Sequence, residues 1–249
     1  MNYKAFPNEY WQNIEKTISE LKAANQNLIA AFDADGTLWD VDLGENFFQY
    51  QIDHQQVLLP ADPWNHYLEM KKVNDDPRPA YIWLAQINEG KSVEQVRTWA
   101  QAAFDSILPS PIFSEQKKLI GLLKNHGVKI YIVTASIKWA VEPGARALGL
   151  TNEQVIGVET AIKDGIITNQ PALPVTYREG KMTALLKATD NQKPFFSAGN
   201  SIGDFELLQG ATHLQLAVSA ASRDDKLFRS ENALLTKAKE LGWWSHRFI

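Results

Sequence analysis

Residues 28–37 read LIAAFDADGT, and this stretch decides the fold. Its first five residues, Leu28–Phe32, form a short continuous apolar run, which is typical of a strand buried on both faces of a parallel sheet. Two acids, Asp33 and Asp35, follow the run directly. Because ligands bind outside the carboxyl ends of the strands in open parallel sheets, we expect both carboxyl groups to lie at the functional edge of the molecule.

Strand-like and helix-like segments alternate through the C-terminal half of the chain. We expect strands at 128–133, at 154–162, directly after the turn at 163–165, at 194–198 and at 213–218. We expect helices at 8–25, 114–126, 137–149 and 178–189, a short helix before residue 213, and further helices at the C-terminus. This alternation predicts an α/β fold with a Rossmann-like three-layer core, in which helices cover both faces of a parallel sheet.

Residues 44–111 interrupt this pattern. They contain four helix-like segments, separated by stretches rich in Pro, Gly, Asp and Asn, and they carry no strand signal. The four segments are 45–57, 63–73, 79–89 and 92–107. We therefore predict a helical cap at 44–111, inserted into a core made of residues 1–43 and 112–249.

Composition narrows the functional classes. The chain has 249 residues, 45% of them hydrophobic, a net charge of −4 and no cysteine, which excludes disulfides, thiolate chemistry and Cys-built zinc sites. There is no basic run, so nucleic-acid binding driven by phosphate neutralisation has little support. The chain shows neither a signal-peptide pattern nor an apolar run of membrane-spanning length, so we expect a cytoplasmic protein without a membrane partner. The oligomeric state stays open.

Polar segments follow two later predicted strands. Thr134-Ala135-Ser136 comes after 128–133, and GNSIGD, residues 199–204, comes after 194–198. Lys181 stands at the start of the helix between them. Since the carboxyl ends of parallel strands meet at one edge, we expect these groups to lie near the paired aspartates. Each also has an ordinary structural interpretation, as a helix cap or as a solvated lysine.

The residue types suit phosphoryl transfer. Two carboxylates two residues apart can divide the work, one as a nucleophile and one as a proton carrier. A cation is needed to keep both ionised, and Asn200 and Asp204 add oxygen ligands of the kind that Mg²⁺ prefers. Lys181 and the hydroxyl of Thr134 suit the neutralisation of charge on phosphoryl oxygens.

This set resembles the haloacid dehalogenase superfamily. The resemblance rests on DADGT in FDADGTLWD, the threonine of YIVTAS, the lysine of REGKMTAL and the GNSxxD pattern of AGNSIGDFELL, in that order and spacing. The helical block resembles the cap of the phosphoserine-phosphatase-like members, so the similarity covers nearly the whole chain. It implies a magnesium-dependent phosphatase that acts on a small phosphorylated metabolite through an aspartyl-phosphate intermediate.

The resemblance also implies a role for each residue. Asp33 would attack phosphorus, Asp35 would protonate the leaving oxygen and then activate water, and Thr37 would orient both. Phosphoryl oxygens would be bound by Thr134, Ala135 and Lys181. Mg²⁺ would be held by Asp33, the backbone carbonyl of Asp35, Asn200 and Asp204. An acid at Asp35 separates phosphatases from the dehalogenases of the superfamily, because an alkoxide leaving group needs a proton. Many members have aspartate where Asn200 stands.

A narrower resemblance is to bacterial phosphorylcholine phosphatases, on DADGTLWDVDLGENFFQY, YIWLAQ, EQVIGVETAIKDGIIT and the pair Gly180-Lys181. It implies an aromatic and acidic pocket for a quaternary ammonium group. The acids would be Asp42 and Glu45, and the walls Trp39, Trp64, Tyr67, Tyr81 and Trp83. The alternatives are a solvated face for the acids and a packed core for the aromatic rings.

Three functions stay open from the sequence. The first is a phosphatase for an amine-bearing phosphomonoester such as phosphorylcholine or phosphoserine. The second is a phosphatase for another metabolite, such as a sugar phosphate or a nucleotide. The third is a non-catalytic protein that binds a phosphorylated ligand. The apolar tail at 243–249 is expected to pack on the core, with a dimer contact as the alternative.

Overall fold

The structure, a computed structural model, describes residues 3–249, and a six-stranded parallel sheet forms its centre. The sheet order is β3-β2-β1-β6-β7-β8, and β4 and β5 form a separate antiparallel hairpin. The strands are β1 Ile29–Phe32, β2 Lys129–Ile137, β3 Val155–Val158, β4 Thr160–Lys163, β5 Ile166–Pro171, β6 Phe196–Gly199, β7 Leu214–Ser219 and β8 Trp244–Arg247.

Helices surround this sheet, and their positions follow the sequence pattern closely. They are α1 Asn8–Ala23, α2 Leu43–Asp53, α3 Pro63–Met70, α4 Arg78–Gln86, α5 Val93–Asp105, α6 Ser114–Asn125, α7 Lys138–Ala147, α8 Glu179–Ala188, α9 Phe205–Gln209 and α10 Phe228–Glu240. In the part of the chain that the structure describes, no helix has the length and apolar character needed to span a membrane.

The buried residues of β1 explain the layered core. Ala30 and Phe32 pack on one face of the sheet, in the cluster that α1 and α6 share. Ala31 points to the opposite face and packs with Leu185 of α8 and Leu207 of α9. Because every residue of this central strand is buried, its sequence is continuously apolar. The predicted three-layer α/β architecture is confirmed.

The helices α2 to α5 share one hydrophobic cluster near the carboxyl edge of the sheet, and we call them the helical block. Phe47 and Phe48 of α2 pack with Leu84 of α4 and Val96 of α5. The same cluster continues onto Trp139 of the core helix α7. The β4–β5 hairpin also joins the block, because the amide of Gly90 donates to the carbonyl of Ile167 at 2.9 Å. The division into core and cap at 44–111 stays a prediction.

Two expectations about strands and helices were wrong. The segment 154–162 is not one strand, because the chain leaves the central sheet after Val158 and Thr160 begins the hairpin. The tail contributes a strand instead of a further helix: β8 pairs in parallel with β7 at the edge of the sheet. The tail packs on the core as expected, since Phe248 is fully buried and stacks on Phe113 with ring centroids 4.1 Å apart.

Candidate active site

The aspartate pair lies in a tight turn directly after β1. The amides of Thr37 and Leu38 both donate to the carbonyl of Ala34, at 3.1 and 2.8 Å, so the strand ends and the chain reverses. Gly36 has a φ of +73°, and a Cβ at this residue would lie 2.0 Å from Nδ2 of Asn200. Glycine is therefore required by both the backbone angle and the close approach of the loop that carries Asn200.

Lys181 joins the first and last motifs at the base of the site. Its Nζ donates to Asp33 Oδ1 and to Asp204 Oδ1, each at 2.5 Å, and all three side chains are almost completely buried. Burial alone would lower the pKa of Lys181, but the charges of Asp204 and Asp33 outweigh burial and raise it. The lysine is thus a permanent cation between two carboxylates that are far apart in the sequence.

The pKa of Asp33 lies above that of an ordinary aspartate. Burial and the charge of Asp204 raise its pKa to about 6, although the charge and hydrogen bond of Lys181 oppose the rise. Its second oxygen accepts a 3.0 Å hydrogen bond from the hydroxyl of Thr37. At neutral pH the carboxylate is therefore ionised and fixed in orientation, as a nucleophile must be.

Asp35 has different surroundings from Asp33. Its Oδ1 accepts from the indole N–H of Trp39 at 2.7 Å and from the amide of Leu43 at 3.0 Å, and its Oδ2 accepts from the hydroxyl of Ser136 at 2.6 Å. Burial, followed by the charge of Asp42, nevertheless raises its pKa to about 8. Two neighbouring carboxyl groups with separated pKa values are the pattern of a nucleophile beside a general acid.

The fourth motif provides two side chains with different tasks. Asp204 Oδ2 accepts from the amides of Asn200 and Ser201 and from the Ser201 hydroxyl, while its Oδ1 accepts from Lys181. Both oxygens of the Asp204 carboxylate are therefore engaged in hydrogen bonds within the protein. Asn200 is less engaged, because its Oδ1 accepts a long 3.4 Å contact from the hydroxyl of Thr37.

The fit of a Mg²⁺ ion depends on these oxygens. Within residues 3–249 no cluster of three or more His, Cys, Asp or Glu side chains is arranged to hold a metal. The available donors are instead the carboxylate of Asp33 and the amide oxygen of Asn200, which lie 3.0 and 3.4 Å from the hydroxyl oxygen of Thr37. A small all-oxygen set completed by water is the kind of site that Mg²⁺ accepts, so these residues fit the ion.

Glu231, which the motifs do not include, lies directly behind Asn200. It is buried on α10, and its Oε1 accepts from Asn200 Nδ2 at 2.9 Å. The sequence signal was present but faint: Glu231, Leu234, Leu235 and Ala238 recur at helical spacing and are all buried, so an acid stands on the core-facing side of the helix.

The second motif lies at the end of β2, which continues to Ile137 instead of ending near Val133. Its pairing with β3 is irregular between Val133 and Ile137, and such irregularities redirect side chains. The Thr134 hydroxyl accepts from the amide of Ser136 at 3.0 Å, which leaves its own proton free to donate. Thr134 and Ala135 face the same cavity as the aspartates.

A cavity of about 580 Å³ lies between this edge and the helical block. Most of the predicted site residues line it, and they are Asp33, Asp35, Asp42, Glu45, Trp64, Tyr67, Tyr81, Thr134, Ala135, Lys181, Asn200 and Asp204. The expected wall residues Trp39 and Trp83 do not line it. Trp39 is fully buried, and its ring lies so close to Gly144 that a Cβ there would clash with it. Its contact with the site is the hydrogen bond from its indole N–H to Asp35.

These features define a class of protein. A sequence profile of the haloacid dehalogenase-like hydrolase family matches residues 30–209, and the chain belongs to this family. Phosphorylcholine phosphatase of Pseudomonas aeruginosa is 22% identical over 244 residues, an alignment that covers 72% of this chain and 69% of that protein. The expected family, fold and enzyme class, an HAD-type phosphatase, are confirmed.

Solved structures share the fold. A Bordetella pertussis Tohama I protein of unknown function superposes with a TM-score of 0.73 at 17% identity, covering 90% of this chain and 99% of that one. A phospho-aspartyl intermediate analogue of phosphoserine phosphatase superposes with a TM-score of 0.54 at 15% identity, covering 90% and 94%. At such low identity these similarities describe the architecture of the chain alone.

Proposed function

We propose that this protein is a Mg²⁺-dependent phosphatase that hydrolyses a small phosphomonoester through an aspartyl phosphate on Asp33. The observation that carries the proposal is the bridge of Lys181 between Asp33 and Asp204, beside an Asp35 whose pKa is raised to about 8. A buried, charge-balanced nucleophile and a separate proton donor then share one cavity.

The two aspartates divide the chemistry. An oxygen of Asp33 forms a bond to phosphorus as the bond from phosphorus to the ester oxygen breaks. Because Asp35 is largely protonated at neutral pH, it gives its proton to the departing alkoxide. The resulting Asp35 carboxylate then takes a proton from water, whose oxygen attacks the phosphorus and releases phosphate and free Asp33.

The remaining residues position the phosphoryl group. The Thr134 hydroxyl and the amide of Ala135 supply donors from the end of β2, and Lys181 supplies fixed positive charge. Mg²⁺, which we assign to Asp33, the backbone carbonyl of Asp35 and Asn200, would neutralise phosphoryl oxygens when bound. Asp204, which was expected among the metal ligands, we assign instead to holding Lys181 and the Ser201 loop in place, because both of its oxygens accept hydrogen bonds there.

The substrate is a small phosphorylated metabolite, because helices α2 to α5 cover the site. The name of the Pseudomonas aeruginosa relative supports an amine-bearing ester such as phosphorylcholine, and acids and aromatic rings do line the cavity. A second candidate, a phosphatase for sugar phosphates, is supported by a lysine that lies against those same rings. The paired Asp33 and Asp35 argue against a protein that only binds its ligand.

The direct test is phosphate release from a panel of phosphomonoesters in the presence of Mg²⁺, with p-nitrophenyl phosphate as a generic ester. We expect release that stops in excess chelator and is absent in Asp33→Asn. Measurable turnover by Asp33→Asn would refute the nucleophile, and full activity in excess chelator would refute the metal. No release from any ester by folded protein with bound metal would refute the phosphatase itself.

A further inference from the structure

The helical block contributes part of the lining of the cavity. Tyr67, on α3, and Tyr81, on α4, contribute aromatic rings there, and Glu45 contributes a carboxylate from α2. An ammonium-bearing substrate would need these rings and this carboxylate to be available. Whether they are available is decided by Lys71, which directly follows α3.

Lys71 already occupies this position. Its Nζ lies 4.7 Å from the ring centroid of Tyr67 and 5.6 Å from that of Tyr81, within the range of cation–π contacts. The same Nζ donates to Glu45 Oε1 at 3.1 Å, and the lysine side chain is only 29% exposed. An ammonium group of the protein itself therefore sits where the ammonium group of a substrate was expected.

Glu45 and Asp42 also have partners within the protein already. The second oxygen of Glu45 accepts from Lys226 at 3.0 Å, so two lysines neutralise this one carboxylate. Asp42 caps helix α2, since its Oδ1 accepts from the amide of Glu45 at 2.8 Å. Burial and the charge of Glu45 also raise the pKa of Asp42, which weakens its attraction for a cation. Both acids near the two tyrosine rings are therefore poor partners for a substrate ammonium.

We propose that Lys71 is a specificity-determining residue that fills the cation subsite, so that the substrate is the phosphomonoester of a neutral, hydroxyl-bearing alcohol such as a polyol or a sugar. This inference rests on the proposed phosphatase function. A substrate ammonium would meet a like charge at contact distance. Hydroxyl oxygens can accept instead from the ammonium of Lys71, and the phenol groups of Tyr67 and Tyr81 can donate to them.

Charge and size also favour a neutral substrate over an anionic one. Asp40 and Asp225 also line the cavity, and these two carboxylates would repel a carboxylate on the substrate. The volume of about 580 Å³ lies within the range of sites that hold metabolites larger than choline. A polyol or sugar uses this volume through many weak hydrogen bonds.

The test compares the wild type with Lys71→Met, which removes the ammonium but keeps an unbranched apolar stem over the rings. Lys71→Arg keeps the charge, and Lys72→Met removes the neighbouring lysine, which is exposed and paired with the exposed Glu69. For each protein, kcat/KM is measured on phosphorylcholine, glycerol 1-phosphate and glucose 6-phosphate. Turnover of p-nitrophenyl phosphate by the wild type reports separately whether the phosphatase chemistry exists.

We expect the wild type to prefer a polyol or sugar phosphate over phosphorylcholine by about tenfold or more, and Lys71→Met to reduce that preference by about tenfold. Lys71→Arg and Lys72→Met should keep the wild-type preference. A wild type that hydrolyses p-nitrophenyl phosphate but favours phosphorylcholine would overturn the inference and leave the phosphatase function standing. An unchanged preference in a folded Lys71→Met would overturn it too.

A binding measurement makes the test independent of catalysis. Choline is titrated calorimetrically into the wild type and into Lys71→Met. We expect no detectable binding to the wild type and binding to Lys71→Met, because the variant frees the two rings and one oxygen of Glu45. Choline binding to the wild type with equal or greater affinity would contradict a filled subsite, even if neither protein turns over any ester.

Discussion

The side-chain amide of Asn200 donates to the Glu231 carboxylate at 2.9 Å, and this contact fixes which end of the amide faces the active site. Glu231 also accepts from the Ser219 hydroxyl at 2.6 Å and from the amides of Ala220 and Ala221 at 3.1 and 2.9 Å. A carboxylate surrounded by donors can only accept, so it binds the NH₂ end of Asn200. The amide oxygen must then point toward Thr37 and Asp33.

Glu231→Gln should weaken Mg²⁺ binding. If the new side chain keeps its oxygen toward Ala220 and Ala221, its NH₂ group faces Asn200 and the Asn200 amide must turn over. The NH₂ end of Asn200 would then face the metal. We expect about a tenfold loss of Mg²⁺ affinity, as is usual when a residue behind a metal ligand is changed, measured by titration calorimetry. Glu240→Gln, an exposed change on the same helix, is the control.

A second substitution tests whether Glu231→Gln acts by turning the Asn200 amide or by disrupting the local structure. Asn200→Asp in the Glu231→Gln background should restore Mg²⁺ affinity, because an aspartate has no NH₂ end and can accept from the side-chain amide that Glu231→Gln introduces. Asn200→Asp alone should be destabilising, since it places two buried carboxylates side by side. Equal Mg²⁺ affinity in Glu231→Gln and the wild type would show that Glu231 does not orient Asn200.

Asp35→Asn should distinguish between leaving groups. An alkoxide needs a proton as it departs, whereas p-nitrophenolate does not, so loss of the acid should slow the first step mainly for alkyl esters. We expect a fall of about 10²–10⁴-fold for the alkyl ester, with a rapid initial release of p-nitrophenolate preserved. Rapid-mixing kinetics on both esters provide the measurement. Equal slowing of both first steps would remove Asp35 from the role of general acid.

The raised pKa of Asp35 predicts how stability depends on pH in the metal-free protein. Its folded-state pKa of about 8 lies above the value of about 3.9 for an unperturbed aspartate, so the folded protein retains a proton that the unfolded chain releases. Stability should therefore be highest below pH 4 with respect to this group and fall up to about pH 8. The slope reaches at most about 1.4 kcal/mol per pH unit.

Asp35→Asn removes this titration. As the pH rises from 5 to 8, the wild type should therefore lose unfolding free energy relative to the variant. Denaturant unfolding of both proteins in chelator measures this difference. A difference that is constant over this range would mean that Asp35 is ionised throughout.

Lys181→Met should destabilise the fold as well as stop catalysis. It leaves the buried carboxylates of Asp33 and Asp204 without their shared cation, and breaking a buried pair in this way costs about 3–5 kcal/mol. The cost should be smaller at pH 5 than at pH 7.5, because the carboxyl groups can then take up protons. Lys187→Met, an exposed change on the same helix, should cost only a few tenths of a kcal/mol.

The sequence predicted the parts of the site that depend on local pattern. LIAAF followed by two aspartates indicated a buried strand ending at a reactive edge, and Lys181 and Asn200 were brought there by strand order. Pairing partners could not be read in the same way. The tail at 243–249 forms an edge strand because one side of β7 is available for pairing. Lys71 contacts Glu45 because of the way α2 and α3 pack together.

Trp39 shows the limit most clearly. Its position after DADGT suggested a pocket wall, but the indole is buried in the core cluster with only its N–H directed at Asp35. A tryptophan can bury its ring in the core while its N–H donates to a polar neighbour, or it can expose its ring to a cavity. The sequence alone does not distinguish these two arrangements.

The central claim is the aspartyl phosphate on Asp33, and it can be tested by trapping the intermediate. Asp35→Asn protein is mixed with p-nitrophenyl phosphate and Mg²⁺, quenched in acid and mapped by peptide mass spectrometry. We predict one added phosphoryl group, located on Asp33, removed by hydroxylamine and absent in the Asp33→Asn/Asp35→Asn double variant. A phosphoryl group on another residue, or turnover by a protein that never becomes phosphorylated, would contradict the account.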